Sequence, residues 1–456
     1  MLPFTPLFID GKQVPASDGK TFEIKNPFSN QVVGTCASAT SEDCQNAILA
    51  AGKAFKTWEH STLGERRAIF LRAAELLKLE KYKSSIAVSV TEETAAAPAL
   101  ASINWGSSLA LLTEAVTLTN ELDGISFPSK VKGGMVAVER RAMGVILATA
   151  PWNAPVNLTL RSCLIPILCG NTVVFRSSEI SPRSQFIVVE LFQEAGLPAG
   201  VFNFISTSRE DAPHLTAQII AHPLFTGSDR VGRAIAMEAA KHLKPCVLEL
   251  GGKAPVVVLE DADINEAAKA IVSSALLHSG QICMSTERVI AQRAVFDRLQ
   301  EAVWSAENVL AMIQEAQSAG AQVLVGDLGR NGSLVQPHVV TNVRPGMRLW
   351  DRETFGPVVV IVPADSLDEA VELANASDYS LSAGLWTSNI YLAKEISSRI
   401  HSGYVNINGP TVHSEVSYGL VGLGGSSGYG RFSIPDFTDQ RVTVTHPLGA
   451  SYPILD

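Results

Sequence analysis

The 456-residue chain lacks several patterns that would place it in specialised protein classes. No apolar run approaches the ~20 residues that a helix needs to span a bilayer. The first ten residues carry two prolines and an aspartate, and no basic segment of the kind that begins a signal peptide. The net charge of -9 leaves no basic surplus for nucleic acid or an anionic membrane. We therefore expect no nucleic-acid partner, no membrane partner and a cytoplasmic location.

Cysteine is also scarce. The six cysteines are Cys36, Cys44, Cys163, Cys169, Cys246 and Cys283. None forms a CxxC pair or has the Cys/His spacing of a zinc site, so we predict no metal. So few cysteines in a chain of this length do not make a disulfide framework, and we expect reduced thiols. The glycine-containing segment 227–232 has neither the Gly-Lys-Ser/Thr of a Walker phosphate loop nor the GxGxxG fingerprint of a standard dinucleotide fold.

Short apolar runs alternate with helical stretches from residue 143 onward. The runs lie at 144–150, 172–175, 201–205, 254–259, 358–362 and 403–408. Strands of this kind, separated by amphipathic helices, are typical of parallel sheets covered on both faces. The fold class is therefore α/β, with two doubly wound parallel-sheet domains that meet near residue 250.

Other segments alternate polar and apolar residues and indicate exposed strands. We assign residues 1–125 and 143–250 to the first domain, and residues 251–435 to the second. Residues 126–142 and 436–456 form a small β arm.

A possible nucleophile and a possible base each lie beside glycines. Cys283 follows a Gly-Gln turn, and Glu249 ends an apolar strand just before Gly251 and Gly252. A thiolate that forms a covalent intermediate requires a base of this kind. Taken alone, a cysteine between apolar neighbours is usually a packing residue, and a lone glutamate is usually an ion-pair partner.

Two further segments supply the remaining elements of a site. Asn153 follows a buried strand and can donate its amide to an oxyanion. Gly227, Ser228 and Gly232 precede and open a helix, whose N-terminal N–H groups can bind phosphate. Each segment has an ordinary structural explanation, a capped turn or a helix start. Together they supply the nucleophile, the base, the oxyanion donor and the dinucleotide cradle of a hydride-transferring enzyme.

The motifs resemble those of the aldehyde dehydrogenase superfamily, in the same order and over nearly the whole chain. The motifs are Ala150-Pro-Trp-Asn-Ala-Pro155, Phe225-Thr-Gly-Ser-Asp-Arg-Val-Gly232, Glu249-Leu-Gly-Gly-Lys253, Gly280-Gln-Ile-Cys283, Glu353-Thr-Phe-Gly-Pro-Val358 and Ser427-Gly-Tyr-Gly-Arg431. The sequence around Cys283 is most similar to members that act on salicylaldehyde, benzaldehyde or vanillin.

The resemblance implies oxidation of an aldehyde, aromatic in this subgroup, through a thiohemiacetal and a thioester on Cys283. Glu249 would be the general base, and Asn153 the oxyanion donor. The residues implied to bind the cofactor are Trp152, Arg176, Glu179, Gly227, Ser228, Gly232, Leu250, Glu353 and Phe355. The two domains would bind the dinucleotide and carry the nucleophile, respectively. The arm would mediate formation of a homodimer or homotetramer.

Cofactor choice and substrate pocket follow from the same resemblance. Glu179 matches a carboxylate that binds ribose hydroxyls and repels a 2′-phosphate, which favours NAD. Arg176, where the family usually has lysine, could instead bind that phosphate, so NADP stays open. Trp105, Met284 and Tyr418 are candidates for the wall of an aromatic pocket, with ordinary packing as the alternative.

Two stretches are shorter than the family pattern. About five residues are expected to be missing between Leu224 and Phe225, where the family has a strand before the phosphate loop, so that here a helix ending at residues 222–224 would run almost directly into that loop. About thirty more are expected to be missing between Val303 and Asn308. Loss of a central strand would leave neighbouring backbone groups unpaired, at about 1–3 kcal/mol each. The alternatives to an active aromatic-aldehyde enzyme are therefore an impaired or non-catalytic member, or an NADP-using semialdehyde or aliphatic-aldehyde enzyme.

Overall fold

A computed structural model describes residues 2–211, 222–300, 316–318, 320–326, 328, 330–331, 334–415, 418–420 and 422–449. The first sheet has eight strands, in the order β22-β12-β11-β8-β9-β10-β2-β3. Its strands are β2 (Leu7–Ile9), β3 (Lys12–Val14), β8 (Val145–Thr149), β9 (Thr172–Arg176), β10 (Phe202–Ile205), β11 (His222–Thr226), β12 (Val247–Glu249) and β22 (Gly428–Tyr429). The five strands from β12 to β10 run parallel, so their carboxyl ends meet at one edge.

The strand that we expected to be missing is present. Residues 222–226 form β11, which pairs with β8 on one side and with β12 on the other. All five residues are buried. The expectation was wrong because residues 222–224, which we had placed at the end of a helix, supply the strand themselves. The sheet therefore continues without a break into the Gly227 turn.

The second sheet has seven strands, in the order β15-β18-β19-β14-β13-β20-β21. Its strands are β13 (Ala254–Val258), β14 (Thr286–Gln292), β15 (Gln322–Val325), β18 (His338–Thr341), β19 (Val358–Ala364), β20 (Ser382–Trp386) and β21 (Tyr404–Ile407). All neighbours pair in parallel except β15 and β18. The expected pair of α/β sheets is thus observed, while the domain boundaries themselves stay a prediction.

A three-stranded sheet joins the two segments of the expected arm. It consists of β6 (Ile125–Pro128), β7 (Met135–Ala142) and β23 (Thr438–Thr445), with β7 in the centre. The remaining strands are β1 (Phe4–Thr5), β4 (Thr21–Lys25), β5 (Val32–Ala37), β16 (Arg330–Asn331) and β17 (Leu334–Val335).

Helices cover the sheets. They are α1 (Ser41–Trp58), α2 (Leu63–Leu77), α3 (Glu80–Thr94), α4 (Pro98–Ala115), α5 (Pro155–Leu168), α6 (Pro182–Glu194), α7 (Asp229–Lys241), α8 (Ile264–Leu276), α9 (Arg293–Gln300), α10 (Arg348–Asp351), α11 (Leu367–Asn375) and α12 (Ile390–Arg399). Sequence signals explain several starts: Thr40 and Asp43 form a capping box at α1, and Pro155 begins α5. Within the ranges described, no helix combines the length and the apolar character needed to cross a membrane.

Candidate active site

The loop that carries Cys283 lies directly against the Glu249 loop. A Cβ atom on Gly252 would lie 1.8 Å from the carbonyl oxygen of Cys283, so only glycine allows this approach. Gly280 has a φ of +74°, and a Cβ there would lie 2.2 Å from the carbonyl oxygen of Gly356. The glycines of these motifs therefore allow three loops to pack together around Cys283.

Two N–H donors lie beside the thiol. The Asn153 side-chain amide donates one hydrogen bond to the Gln281 carbonyl, at 2.8 Å, which leaves its second N–H available. The backbone N–H of Cys283 has no hydrogen-bond partner among the described residues. The thiol belongs to a partly exposed residue, whereas the other five cysteines are buried, and all six are free. This arrangement can stabilise an oxyanion next to the sulfur.

Glu249 ends β12 and is almost fully buried. Its Oε2 accepts a hydrogen bond from Arg161 on α5 at 2.6 Å, and the exposed fractions of the two side chains are 1% and 13%. Arg161 also donates to the Thr226 hydroxyl at 3.3 Å and lies over the ring of Phe432. Among the described residues, Glu249 Oε1 and Arg161 Nε have no partner. One carboxylate oxygen is thus held and the other is available for a proton.

Burial raises the pKa of the Cys283 thiol well above its ordinary value. The negative charge of Glu249 raises the pKa further, while the positive charge of Arg161 lowers it. Forming the thiolate therefore depends on the balance between Glu249 and Arg161.

A second buried ion pair links the loops of the site. Lys253 bonds to Glu287, and both side chains are at most 3% exposed. Glu287 also accepts hydrogen bonds from the Thr354 backbone N–H, at 3.0 and 3.1 Å. This pair ties together the base segment, the start of β14 and the segment that contains Glu353.

Glu353 faces the base segment. Its Oε1 accepts a hydrogen bond from the Gly252 N–H at 3.0 Å. Burial, followed by the charge of Glu287, raises the pKa of Glu353 to about 8. Phe355 lies in an edge-to-face contact with Trp152, with ring centroids 6.0 Å apart. The structure thus brings Trp152, Glu353 and Phe355, all expected to bind the cofactor, to the same region.

The expected phosphate-binding segment opens α7. Ser228 is the N-cap residue, and Gly232 lies within the first turns. The Gly227 N–H donates to the Glu249 carbonyl at 3.1 Å, so this segment is fixed to the base strand. Leu250 is buried and packs so closely on Gly232 that a Cβ there would lie 2.4 Å from its side chain. The helix N-terminus is therefore held beside the base, where its free N–H groups can bind a phosphate.

Arg176 is the last residue of β9, and Glu179 follows it by three residues. Arg176 Nη2 is 3.9 Å from Glu179 Oε2, and burial lowers the pKa of the guanidinium. Arg176 Nε is buried and has no partner among the described residues. An orphaned donor beside a carboxylate suits the hydroxyls of a ribose. Together with the glycine cradle, these residues fit a dinucleotide.

A cavity of about 310 Å³ leads to Cys283. One face of α4, one face of α5 and residues 412–415 and 419–420 line it, with Met284 beside Cys283. Trp105 does not reach this cavity: its indole N–H donates to the Leu77 carbonyl at 2.8 Å, and its ring packs under Lys83. Tyr418 is 73% exposed and also lies outside the lining. Of the three expected pocket residues, the structure brings only Met284 to the site.

Sequence reasoning missed Arg161 and the pairing of Lys253 with Glu287. Arg161 is the only charged residue of α5, in the sequence Pro-Val-Asn-Leu-Thr-Leu-Arg-Ser-Cys-Leu-Ile-Pro-Ile-Leu. A lone cation in an otherwise buried helix was a usable signal, because buried charges are rarely left without a partner.

Comparison with known sequences decides the family. The sequence model of the aldehyde dehydrogenase family matches residues 14–306 and 304–446. The chain belongs to the aldehyde dehydrogenase family. It is an aldehyde-oxidising enzyme of that family, as its motifs indicated. The match divides in two at residues 304–306, within the stretch where we expect about thirty residues to be missing; that stretch lies outside the described residues.

Individual relatives agree in sequence and in structure. A vanillin dehydrogenase from Pseudomonas sp. (strain HR199 / DSM 7063) is 39% identical, over 98% of this chain and 99% of its own. The crystal structure of a salicylaldehyde dehydrogenase from Pseudomonas putida G7, complexed with salicylaldehyde, superposes with a TM-score of 0.94, at 35% identity, over 99% and 100%. An NADP-dependent glyceraldehyde-3-phosphate dehydrogenase from Bacillus halodurans C-125 gives a TM-score of 0.89, at 30% identity, over 97% and 99%.

Proposed function

We propose that this enzyme oxidises an aromatic aldehyde to the carboxylic acid, with Cys283 as nucleophile and NAD as hydride acceptor. The observation that carries the proposal is that Cys283 lines one cavity with the Asn153 amide and lies close enough to the half-paired carboxylate of Glu249 for its charge to act on the thiol. The apolar cavity leading to Cys283 and the similarity to vanillin and salicylaldehyde dehydrogenases support an aromatic substrate.

In the first step, the Cys283 thiol releases its proton to solvent through the cavity, and the thiolate sulfur adds to the aldehyde carbon. The carbonyl oxygen becomes an oxyanion, held by the Asn153 amide and by the Cys283 backbone N–H. Each such donor contributes typically ~3 kcal/mol to the transition state. Arg161 keeps one oxygen of Glu249 occupied, and its positive charge favours the thiolate.

A bound nicotinamide would supply the acceptor for the hydride of the thiohemiacetal carbon. Gly227, Ser228 and Gly232 would hold the pyrophosphate at the start of α7. Glu353 would accept hydrogen bonds from ribose hydroxyls, and Phe355 with Trp152 would bound the ring. These residues position the acceptor and keep water from the thiohemiacetal.

Loss of the hydride leaves a thioester on Cys283. Glu249 then takes a proton from water through its free Oε1, and the resulting hydroxide attacks the thioester carbon. The carboxylic acid leaves and the thiolate is restored. A positioned general base of this kind contributes typically ~100- to 10,000-fold to the rate.

We infer that NAD is preferred over NADP. The Glu179 carboxylate lies beside Arg176, so a 2′-phosphate would compete with an existing ion pair and face a negative charge. NADP stays the alternative, because the glyceraldehyde-3-phosphate dehydrogenase that resembles this chain is NADP-dependent. Initial rates with each cofactor decide this: kcat/KM should be higher with NAD, and Glu179→Gln should narrow the difference.

We also propose that the arm joins subunits into a homodimer or homotetramer. Its sheet exposes several large apolar side chains, which isolated soluble surfaces rarely group together. They are Ile125, Phe127, Met135, Val442 and Val444. Light scattering should give a mass of two or four chains; a monomer with full activity would contradict the proposal.

The decisive test of function is Cys283→Ala. Absorbance of NADH is followed with benzaldehyde, vanillin, hexanal and succinic semialdehyde. The wild-type enzyme should be most active on the aromatic aldehydes, and the variant should form no NADH. Cys246→Ala, in a cysteine outside these loops, is the matched control and should keep activity. A thermal shift with NAD but no turnover by the wild-type enzyme would favour a non-catalytic member instead.

A further inference from the structure

One side chain in the cavity wall has no role in the chemistry above. Asn157 lies on α5, one turn before Arg161, and both line the cavity. Its backbone N–H donates to Asn104 Oδ1 at 3.4 Å. Within the described ranges, its side-chain amide has no hydrogen-bond partner, and the residue is partly exposed to the cavity.

The neighbours of Asn157 in the cavity are mostly apolar. They include Ile103, Leu111, Leu158, Leu164, Ile165 and Phe432. Several other polar side chains nearby have partners, although Asn153 Oδ1 and Arg161 Nε have none among the described residues. Ser107 donates to the Ile103 carbonyl at 2.7 Å, Asn153 donates to Gln281, and Arg161 donates to Glu249. Asn157 is thus a polar group whose donors and acceptor are both available in an apolar wall.

We propose that Asn157 determines specificity by binding a hydroxyl group on the ring of the aldehyde. This proposal rests on the proposed oxidation of aromatic aldehydes. A helix rises 1.5 Å per residue, so Asn157 lies ~6 Å along α5 from Arg161, the partner of the base. A ring whose aldehyde carbon is at Cys283 and which lies along α5 presents a substituent to Asn157.

A hydroxyl matches this amide and a methyl group of similar size does not. The hydroxyl can donate to Oδ1 and accept from Nδ2. A methyl group would displace water from the amide and leave it without a partner, which is unfavourable. Sites built to bind a substrate hydroxyl therefore reject the analogue that lacks it. Since Asn157 is partly exposed, the expected discrimination is modest.

The test compares substrates of equal size. The wild-type kcat/KM is measured with benzaldehyde, the three hydroxybenzaldehydes and the three methylbenzaldehydes. At least one hydroxy isomer should exceed its methyl counterpart by about 10-fold, the effect of one hydrogen bond. In Asn157→Leu, which keeps the volume, this ratio should fall to about 1 or below. Asn157→Ala should lower it in the same direction, which guards against a folding defect in one variant.

Ser107→Ala is the control, because the Ser107 hydroxyl is committed to a helix carbonyl. Its hydroxy-to-methyl ratio should stay that of the wild type. A wild-type ratio near 1 for all isomers, or an equal loss of the ratio in Ser107→Ala, would overturn the assignment.

If no aldehyde of the set is oxidised, the proposed function fails. The assignment of Asn157 is then decided by dissociation constants of the same hydroxy and methyl pairs, titrated onto Cys283→Ala and onto Cys283→Ala with Asn157→Leu. Equal affinities for the two members of each pair would overturn it.

Discussion

Two buried ion pairs lie within the same site and differ in how completely they are satisfied. Lys253 and Glu287 bond to each other, and Glu287 also accepts the Thr354 N–H. Glu249 and Arg161 bond to each other as well, but each keeps one buried polar atom without a partner in the described part of the chain. Within the described residues, the first pair leaves no buried side-chain polar atom without a partner, whereas the second leaves Glu249 Oε1 and Arg161 Nε unpaired.

This difference is consistent with a structural role for the Lys253–Glu287 pair and a chemical role for the Glu249–Arg161 pair. A buried carboxylate with all its hydrogen bonds made is well suited to fixing loops. A buried carboxylate with one oxygen unpaired is kept at a cost, and such groups are found where a proton has to move. The comparison predicts that changes to the Glu249 pair alter rates, whereas changes to the Lys253 pair alter stability.

The largest effect is expected from Glu249→Gln. The amide can still accept from Arg161 but cannot take a proton from water, so thioester hydrolysis should fail while acylation continues. kcat should fall by ~100- to 10,000-fold. Stopped-flow absorbance should show one burst of NADH per site, and mass spectrometry should show the acylated Cys283. A steady-state rate within a few-fold of the wild type would remove Glu249 from the mechanism.

Lys253→Met should act on stability instead. Removing one partner leaves Glu287 charged and buried, at ~3–5 kcal/mol. Urea denaturation should report this loss in the free energy of unfolding. The matched control is Lys269→Met, whose pair with Glu266 is exposed and should change stability by less than ~1 kcal/mol. Equal losses in the two variants would erase the distinction between the pairs.

A smaller effect concerns the pH dependence of the thiol. The rate of Cys283 alkylation by iodoacetamide is measured against pH, with Cys283→Ala as the blank. Because the charge of Glu249 raises the thiol pKa and that of Arg161 lowers it, Glu249→Gln should shift the midpoint to lower pH. Arg161→Met should shift it to higher pH. Shifts of the opposite sign would show that the charges do not act directly on the sulfur.

The last prediction concerns Glu353 and the pH dependence of the free energy of unfolding. Its pKa of about 8 lies above the ordinary carboxyl value, so the folded protein holds a proton that the unfolded chain has lost. The resulting stabilisation is present at low pH and is lost as pH rises toward 8. Glu353→Gln lacks this proton, so the stability of the variant relative to the wild type should rise from about pH 5 to pH 8. If the free energies of unfolding of the wild type and of Glu353→Gln changed with pH in parallel, the raised pKa of Glu353 would be contradicted.

The sequence predicted which candidate catalytic residues come together better than it predicted the walls of the cavity. Cys283, Glu249 and Asn153 lie together as expected, because loops at the carboxyl ends of parallel strands meet at one edge of a sheet. Trp105 was misplaced, because the sequence does not show which face of α4 turns toward Cys283. Tyr418 was misplaced as well: its side chain is 73% exposed and lies outside the cavity lining.

The strand at 222–226 shows the same limit in the fold. His222 and Pro223 are poor strand formers, and proline cannot donate to a sheet. Pairing on both sides overrides these local preferences, because an empty place between β8 and β12 would leave two rows of backbone groups unpaired. Local propensity pointed to a helix end, and the neighbouring strands determined a strand.

By itself, the sequence determined which reactive groups this enzyme has, because residue types and glycine spacing are local properties. Only the tertiary structure decided which partners those groups have. Arg161 is 88 residues from Glu249 along the chain, and Lys253 is 34 residues from Glu287. Ion pairs over such distances form only when the sheets are assembled, so the partly satisfied base and the fully satisfied support could be distinguished only in the folded protein.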